Sequence, residues 1–241
     1  VPVAPEEDEE NADEEDSEEE PVPDTAEGIE TIFVYVDDDG AFLGESESDT
    51  VDITALISDQ YDVTTWQVSE KDEALELDDL EGFDLIIWYS AEYREEEFDF
   101  EDEANLIFEA LFDGGNLLIM GATPPTLEPA ELVDLSTVRY AEHPILDGLG
   151  LTLDEPVSLD QAISASVLEL IEDDLGEGEA IFMFRADDNE FVDNAVGATV
   201  YNEFTDTRFV LLTIPLQVFG EDIQTQFIDN LIVWFGSASS E

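Results

Sequence analysis

The chain has no cysteine and almost no basic residues. Without a thiol it can form no disulfide, no thiolate metal site and no cysteine nucleophile. Its 5 Lys and Arg residues stand against 66 Asp and Glu residues in 241, which gives a formal net charge of −61. Because nucleic acids and anionic membrane surfaces attract clustered cations, we expect neither as a partner. No apolar run approaches the ~20 residues that span a bilayer, so no membrane span is expected.

Acidic residues are most concentrated in an N-terminal block. Residues 1–29 contain acidic runs and no Lys or Arg. Such a segment repels itself and has little apolar surface to bury, so we predict a disordered acidic tail. The chain begins with Val1 rather than Met, which favours a matured secreted chain or a trimmed one. The whole chain is 43% hydrophobic, enough for residues 30–241 to form one folded domain.

Long apolar runs predict the strands of that domain. Residues 32–36, 84–89 and 116–120 are apolar nearly throughout, which is typical of strands buried on both faces of a parallel sheet. Residues 101–112 combine acidic and apolar residues at helical spacing and precede a Gly pair, which predicts an amphipathic helix. This alternation predicts an α/β fold: a three-layer α/β/α sandwich with a mostly parallel sheet and an antiparallel extension near the C-terminus.

Weaker patterns predict the other elements. Ser48 or Asp49 is expected to cap a helix that runs to about Asp59. Further strands are expected at residues 63–68, 180–184, 195–201 and 208–214, a short helix at 128–135, an excursion packed on the sheet at 160–171, and a closing helix at 222–235.

Four segments together resemble a known family. They read FVYVDDDG at residues 33–40, LFDGGNLLIMG at 111–121, EHPILDGL at 142–149 and RFVLLTIPL at 208–216. In this order they are similar to the opening strand, the helix–Gly-Gly–strand step, the His-Pro-Ile segment and the last strand of class I glutamine-amidotransferase-like domains of secreted proteins, in the trehalose-utilisation-type branch. The resemblance implies a flavodoxin-like domain over most of residues 30–236.

The chain departs from that family at the reactive turn. Amidotransferase members carry a Cys after the strand that here ends at Met120, whereas this turn reads GATPP at residues 121–125. A Cys–His–Glu relay needs a thiolate beside a base. Amidotransferase activity is therefore not expected, because a fold alone does not carry an activity.

The candidate metal site is Asp37, Asp38 and Asp39 at the carboxyl end of the first predicted strand. Ligands usually bind at this edge of open α/β sheets, and carboxylate oxygens are ligands of Ca²⁺ and Mg²⁺. In so acidic a chain a solvated turn is the simpler interpretation, and no other cofactor is expected. Asp187-Asp188-Asn189 repeats the pattern more weakly.

His143 is the only imidazole and the weak candidate for a catalytic residue. It precedes Pro144 in a predicted loop and has no identifiable nucleophile partner, so we favour a structural or hydrogen-bonding role. Acids such as Glu142 would favour its protonated form. The hydroxyl candidates, Ser90 and Thr123, lack a nucleophile-elbow context. The four arginines (Arg94, Arg139, Arg185 and Arg208) are expected to pair with acids, and the three tryptophans (Trp66, Trp88 and Trp234) to lie in the core.

These patterns favour a non-catalytic binding or assembly module, secreted or displayed at a cell surface and adapted to saline or cation-rich surroundings. A protein partner or self-association is expected, and divalent cations are a further candidate. One alternative is a divergent trehalose-utilisation-type enzyme that uses His143, with Asp37 or Glu142, on a carbohydrate-like ligand. Another is a Ca²⁺-binding acidic protein.

Overall fold

The structure is a computed structural model, in which the described residues are 28–37, 52–57, 60–71, 74–90, 105–106, 109–110, 115–121, 132–150, 157–166, 168–169, 177–185, 191–202, 207–214, 216 and 219–237. Their strands are β1 (Thr31–Asp37), β2 (Asp62–Gln67), β3 (Leu85–Ser90), β4 (Asn116–Gly121), β5 (Leu132–Tyr140), β6 (Val157–Ser166), β7 (Leu168–Glu169), β8 (Glu177–Arg185), β9 (Phe191–Asn202) and β10 (Thr207–Leu212). The helices are α1 (Ile53–Ile57) and α2 (Glu221–Gly236). Three 3₁₀ turns lie between them in the sequence, at Val68–Glu70, Leu77–Asp79 and Pro144–Leu146. Residues 105–106 and 109–110 are also helical.

The strands form one sheet in the order β2-β1-β3-β4-β10-β9-β8-β5-β6, with β7 paired to β9. We call β2, β1, β3, β4 and β10 the parallel half, because every pair among them is parallel. The other strands are the antiparallel half, joined to β10 through β9. The predicted α/β fold, with a parallel sheet and an antiparallel extension, is confirmed, and the extension is larger than predicted.

Alternate residues of the parallel strands face opposite sides of the sheet, as the pleat requires. Side chains such as Val34, Ile87 and Leu118 pack on the first face against helices α1 and α2. Their neighbours, such as Tyr35 and Trp88, pack on the second face. Leu75, Leu80 and the helical residues Leu106 and Ala110 cover that second face. Helical or 3₁₀ segments thus lie on both sides of the sheet, which gives the three predicted layers.

Helix α1 begins at a cap that differs from the predicted one. The Oδ1 atom of Asp52 accepts the main-chain N–H of Ala55 at 3.0 Å, so Asp52 is the N-cap in place of Ser48 or Asp49. The helix then buries Ile53 and Ile57 against the first face.

Helix α2 supplies most of the apolar cover of the first face. Phe227, Ile228, Leu231 and Ile232 are fully buried, whereas Val233 on the outer side is 48% exposed. In the described part of the chain, no helix is both long and apolar enough to cross a membrane.

Two predicted elements in the second half of the chain are wrong. The segment predicted as a short helix at 128–135 enters strand β5 at Leu132, and the excursion at 160–171 contains most of β6 and all of β7. Pro129 is tolerated early in a helix, which is compatible with the predicted helix, but β5 gains its main-chain hydrogen bonds by pairing with β6 and β8. Pairing with distant strands overrides a weak local helix signal.

Gly28 and Gly236, near the two ends of the described residues, lie side by side. Gly28 has a left-handed φ of 103°, and a Cβ placed on it would lie 3.8 Å from the carbonyl oxygen of Gly236. The chain therefore enters β1 and leaves α2 at the same edge of the sheet, where the parallel strands begin. We call this the amino-terminal edge.

Candidate functional site

The strand order creates a topological switch point between β1 and β3. From β1 the chain moves outward to β2 on one side and then returns to β3 on the other. In open α/β sheets, the loops that leave two such strands diverge, and ligands bind in the crevice at their carboxyl ends. The register aligns Asp37 with Ser90, and Ser90 with Gly121, at the ends of β1, β3 and β4. We call this row the switch-point edge.

Two sequence candidates, Asp37 and Ser90, therefore occupy neighbouring positions at this edge. Gly121 ends β4 with a φ of 96°, a left-handed conformation that favours glycine. The strand thus ends where the reactive turn of the resembled family begins.

The other members of the predicted metal triplet, Asp38 and Asp39, lie outside the described residues. So do Thr123, Arg94 and the segment Asp187-Asp188-Asn189. Within the described ranges, no group of three or more His, Asp or Glu side chains is placed to hold a metal ion. The Ca²⁺ or Mg²⁺ site stays a prediction.

His143 lies in the protein interior, away from the switch-point edge. It is 4% exposed. Its Nδ1 accepts the main-chain N–H of Ile145 at 3.2 Å, and its Nε2 lies 3.2 Å from the hydroxyl of Thr199. Because Nδ1 is an acceptor, the neutral ring carries its proton on Nε2, which donates to the Thr199 hydroxyl. Thr199 belongs to β9, which β4 and β10 separate from β3.

The ring of His143 also packs beside Trp234, with 5.8 Å between the ring centroids. The same indole contacts Arg208, whose guanidinium carbon lies 5.3 Å from the Trp234 ring and 5.5 Å from the Tyr201 ring. Arg208 Nη1 donates to the carbonyls of Trp234 at 2.6 Å and Phe235 at 2.9 Å. A cation is favourable there because the last carbonyls of a helix lack intrahelical partners.

We call His143, Thr199, Tyr201, Arg208 and Trp234 the helix-anchoring cluster, because its side chains join the end of α2 to β9 and β10. Arg208 and His143 are buried, and Trp234 is half-buried. Of the other tryptophans, Trp88 lies in the core as predicted, and Trp66 is half-buried.

A polar network crosses the amino-terminal edge. Asp84 Oδ2 accepts hydrogen bonds of 2.9 Å from the N–H groups of Glu30 and Thr31 and from the Thr31 hydroxyl. Asn116 continues the network, because its amide donates to the carbonyl of Asp84 and its Oδ1 accepts the N–H of Arg208, each at 3.0 Å. The network ties together the beginnings of β1, β3, β4 and β10.

This network also sets the charge state of Asp84. Burial by itself would raise the pKa of the Asp84 carboxyl, but the hydrogen bonds from Glu30 and Thr31 together hold the pKa below its ordinary value of 3.8. The ionised form is therefore part of the folded structure.

A cavity of about 390 Å³ opens on the second face, near the beginnings of β3 and β4. The volume is in the range of small-ligand pockets. Its apolar lining includes Leu80, Phe83, Ile86 and Ala110, with Glu81 beside them. The cavity lies toward the amino-terminal edge, at the opposite end of the strands from the switch-point edge.

Sequence reasoning missed the polar network and the contacts of Arg208. Thr31, Asp84 and Asn116 each stand at or just before the start of an apolar run, and that shared position was the available signal. For Arg208, no sequence pattern indicates that its guanidinium donates to carbonyls at the end of α2.

Neither a family model nor a curated protein matches the chain. Among solved structures, a beta-galactosidase from Rahnella sp. R3 is similar over 84% of this chain and 31% of its own, with 15% sequence identity and a TM-score of 0.45. This chain therefore spans about a third of that protein's length. Similarity at this level assigns neither a family nor an activity.

Proposed function

We propose that this protein is a non-catalytic binding or assembly module that works in saline surroundings outside the cell or at its surface. The main support for this proposal is that His143 is buried in the protein interior. An acid–base imidazole must reach a proton of the substrate. Here the ring is 4% exposed, and its nitrogens contact Ile145 and Thr199 within the fold.

The second candidate is a divergent trehalose-utilisation-type enzyme acting on a carbohydrate-like ligand. It requires His143 in a pocket at the carboxyl edge of the sheet, with a carboxylate in hydrogen-bond reach. Asp37 is on β1, whereas His143 contacts β9, three strands beyond β3. This separation favours the non-catalytic module. Asp37 and Ser90 are the residues on which an enzyme hypothesis would depend.

A substrate panel separates the two candidates. Purified protein is incubated with glutamine and with chromogenic esters and glycosides, and we expect no turnover above the buffer rate. His143→Gln and Thr199→Val form a matched pair, because both disturb the hydrogen bond between these residues and only the first removes the imidazole. Turnover that disappears in His143→Gln and persists in Thr199→Val would instead support the enzyme.

Adaptation to salt follows from the charge of the chain. Sixty-six acidic residues against 5 basic ones repel one another, and the screening length falls from ~8 Å at physiological ionic strength to ~3 Å at 1 M. We expect the melting temperature to rise by on the order of 10 °C between dilute buffer and molar NaCl. A melting temperature that is flat or falls with salt would contradict the saline adaptation.

The same experiment addresses cation binding. NaCl and CaCl₂ solutions of equal ionic strength should stabilise the protein similarly if screening is the cause. A much larger effect of CaCl₂, with saturable binding in calorimetry that weakens in Asp38→Asn, would support the Ca²⁺-binding alternative.

A further inference from the structure

Strand β2 forms one end of the described sheet and pairs with β1. The N–H of Asp62 donates to the carbonyl of Glu30 at 3.0 Å, so the main chain of Asp62 faces β1. In a parallel strand, alternate residues direct their N–H and C=O groups to the same side. Val63 and Thr65 therefore direct these groups away from β1, toward a side where the described residues place no strand.

This edge carries an unusually neutral sequence. Between Asp62 and Glu70, residues 63–69 contain no charged residue, in a chain with 66 acids among 241 residues. Thr64 and Thr65 are exposed. Natural proteins usually protect an open edge with charges, because its main-chain groups can pair with another strand. The edge of β2 lacks such charges between Asp62 and Glu70, so a second strand can pair with residues 63–67 without placing carboxylates directly opposite one another.

The one lysine of the chain lies beside this edge. Lys71 Nζ is 4.5 Å from the centroid of the Trp66 ring, so its ammonium group is held over the face of the indole. Trp66 and Asp62 have the same parity along β2, and their side chains therefore point to the same face of the sheet.

We propose that β2 pairs in antiparallel fashion with β2 of a second copy of this chain, around a two-fold axis at Thr65. In this register, Thr65 faces Thr65 of the second copy, and Thr64 faces Trp66. Residues opposite each other in an antiparallel pair share a face, and diagonal neighbours on that face are in reach of long side chains. Asp62 of each copy thus becomes a diagonal neighbour of Trp66 of the other copy, the residue whose indole holds Lys71.

This charge complementarity favours a second copy over an unrelated strand. The two-fold axis forms the contact twice, and each time it places the single lysine of one copy near a carboxylate of the other. The interface is isologous, as in most symmetric dimers.

The dimer is expected to be weak and to need salt. A six-residue strand buries much less than the ~1,600 Å² of a standard interface. Two copies with a net charge of −61 each repel one another at low ionic strength, and molar salt screens this repulsion.

The inference deepens the proposed function, on which it rests, by naming a partner for the assembly role. A monomeric protein would overturn the inference alone, because the substrate panel tests the absence of catalysis separately.

Sedimentation equilibrium of the full chain tests the pairing at low salt and in molar NaCl. Thr65→Pro removes the outward N–H, and Pro is tolerated where an edge N–H points away from its sheet. Thr65→Val keeps that N–H. Both variants lose the 3.1 Å hydroxyl contact with Thr54, so they form a matched pair. In molar salt we expect the wild type and Thr65→Val to dimerise. For Thr65→Pro we expect the dissociation constant of the dimer to be at least about tenfold higher.

Cysteine cross-linking gives a second readout that does not depend on the proline variant folding. The chain has no Cys, so Thr65→Cys introduces the only thiol, and opposite residues of a hydrogen-bonded antiparallel pair lie ~5.5 Å apart, within disulfide range. Val233→Cys, at an exposed position on α2, is the control. We expect rapid oxidation to a covalent dimer in molar salt for Thr65→Cys alone. A protein that is monomeric at every salt concentration, or equal cross-linking at both positions, would overturn the proposal.

Discussion

The two halves of the sheet differ in how they are stabilised. In the parallel half, strands such as β3 and β4 are buried on both faces, and Leu85 to Tyr89 and Leu117 to Met120 are each at most 2% exposed. In the antiparallel half, β5 and β6 interleave Ser, Thr and Asp with apolar residues. Burial on both faces requires a continuous apolar run, whereas an antiparallel strand can alternate polar and apolar residues because one of its faces can lie in solvent.

Strand β10 is where the halves meet, because it is parallel to β4 on one side and antiparallel to β9 on the other. It also carries Arg208, which holds the end of α2. If β10 and α2 connect the two halves, the halves should unfold as one unit.

Removal of Arg208 is the strongest test of this connection. Arg208→Met keeps much of the apolar stem and leaves the carbonyls of Trp234 and Phe235 without the guanidinium donor. We expect the free energy of unfolding in urea to fall by about 3 kcal/mol. Arg208→Lys should recover only part of this loss, because an ammonium group lacks the planar fork. A loss below about 1 kcal/mol would show that Arg208 is not an anchor.

A matched pair of core substitutions compares the halves directly. Val34 on β1 and Val138 on β5 are both buried and belong to the same apolar cluster. Each change to Ala should lower the free energy of unfolding by about 2 kcal/mol. If the halves are cooperative, both variants shift one common transition, seen alike by circular dichroism and tryptophan fluorescence. Two separated transitions, with Val138→Ala affecting only one, would show that the halves unfold independently.

Asp84 tests the polar network at the amino-terminal edge of the parallel half. Its pKa is held below 3.8 in the folded state, so its contribution is complete above that value and is lost as the pH falls through the folded pKa. We expect Asp84→Asn to lower the free energy of unfolding by about 1–2 kcal/mol at pH 7. The difference from the wild type should shrink below about pH 4. Asp78→Asn, at an exposed position, controls for the change in net charge. A difference that does not vary with pH would contradict this role of the carboxylate.

The smallest expected effect concerns Asp229 on α2. Burial raises the pKa of its carboxyl above 3.8, so ionisation opposes folding at neutral pH. Asp229→Asn should stabilise the protein at pH 7 by less than about 1 kcal/mol, because solvent still screens the half-buried group. The gain should fade as the pH drops through the folded pKa toward and below 3.8. Asp147→Asn, which removes an exposed charge, is the control. An equal gain in both variants would attribute the effect to net charge alone.

The sequence predicts the parallel half well for a physical reason. Strands such as residues 32–36 and 116–120 must be apolar on both faces, and a few consecutive residues of the sequence are enough to show this pattern. Strand β5 was predicted in part as a helix, because its register depends on β6 and β8, which lie at least 15 residues further along the chain. Only the three-dimensional fold reveals those neighbours.

The candidate site divides in the same way. The end of β1 at Asp37 is predictable because a parallel strand ends where its apolar run ends. The interior position of His143 is not, because it depends on Thr199 and Trp234, which are 56 and 91 residues distant in sequence.

The closeness of Gly28 and Gly236 has a consequence for how this domain can be connected. Any polypeptide attached before Gly28 or after Gly236 would depart from one corner, at the opposite end of the parallel strands from Asp37 and Ser90. Insertion of the folded part into a surface loop of a carrier protein is therefore feasible without stretching either junction. A circular permutant that joins these two glycines through a short flexible bridge should fold with the order of the strands unchanged.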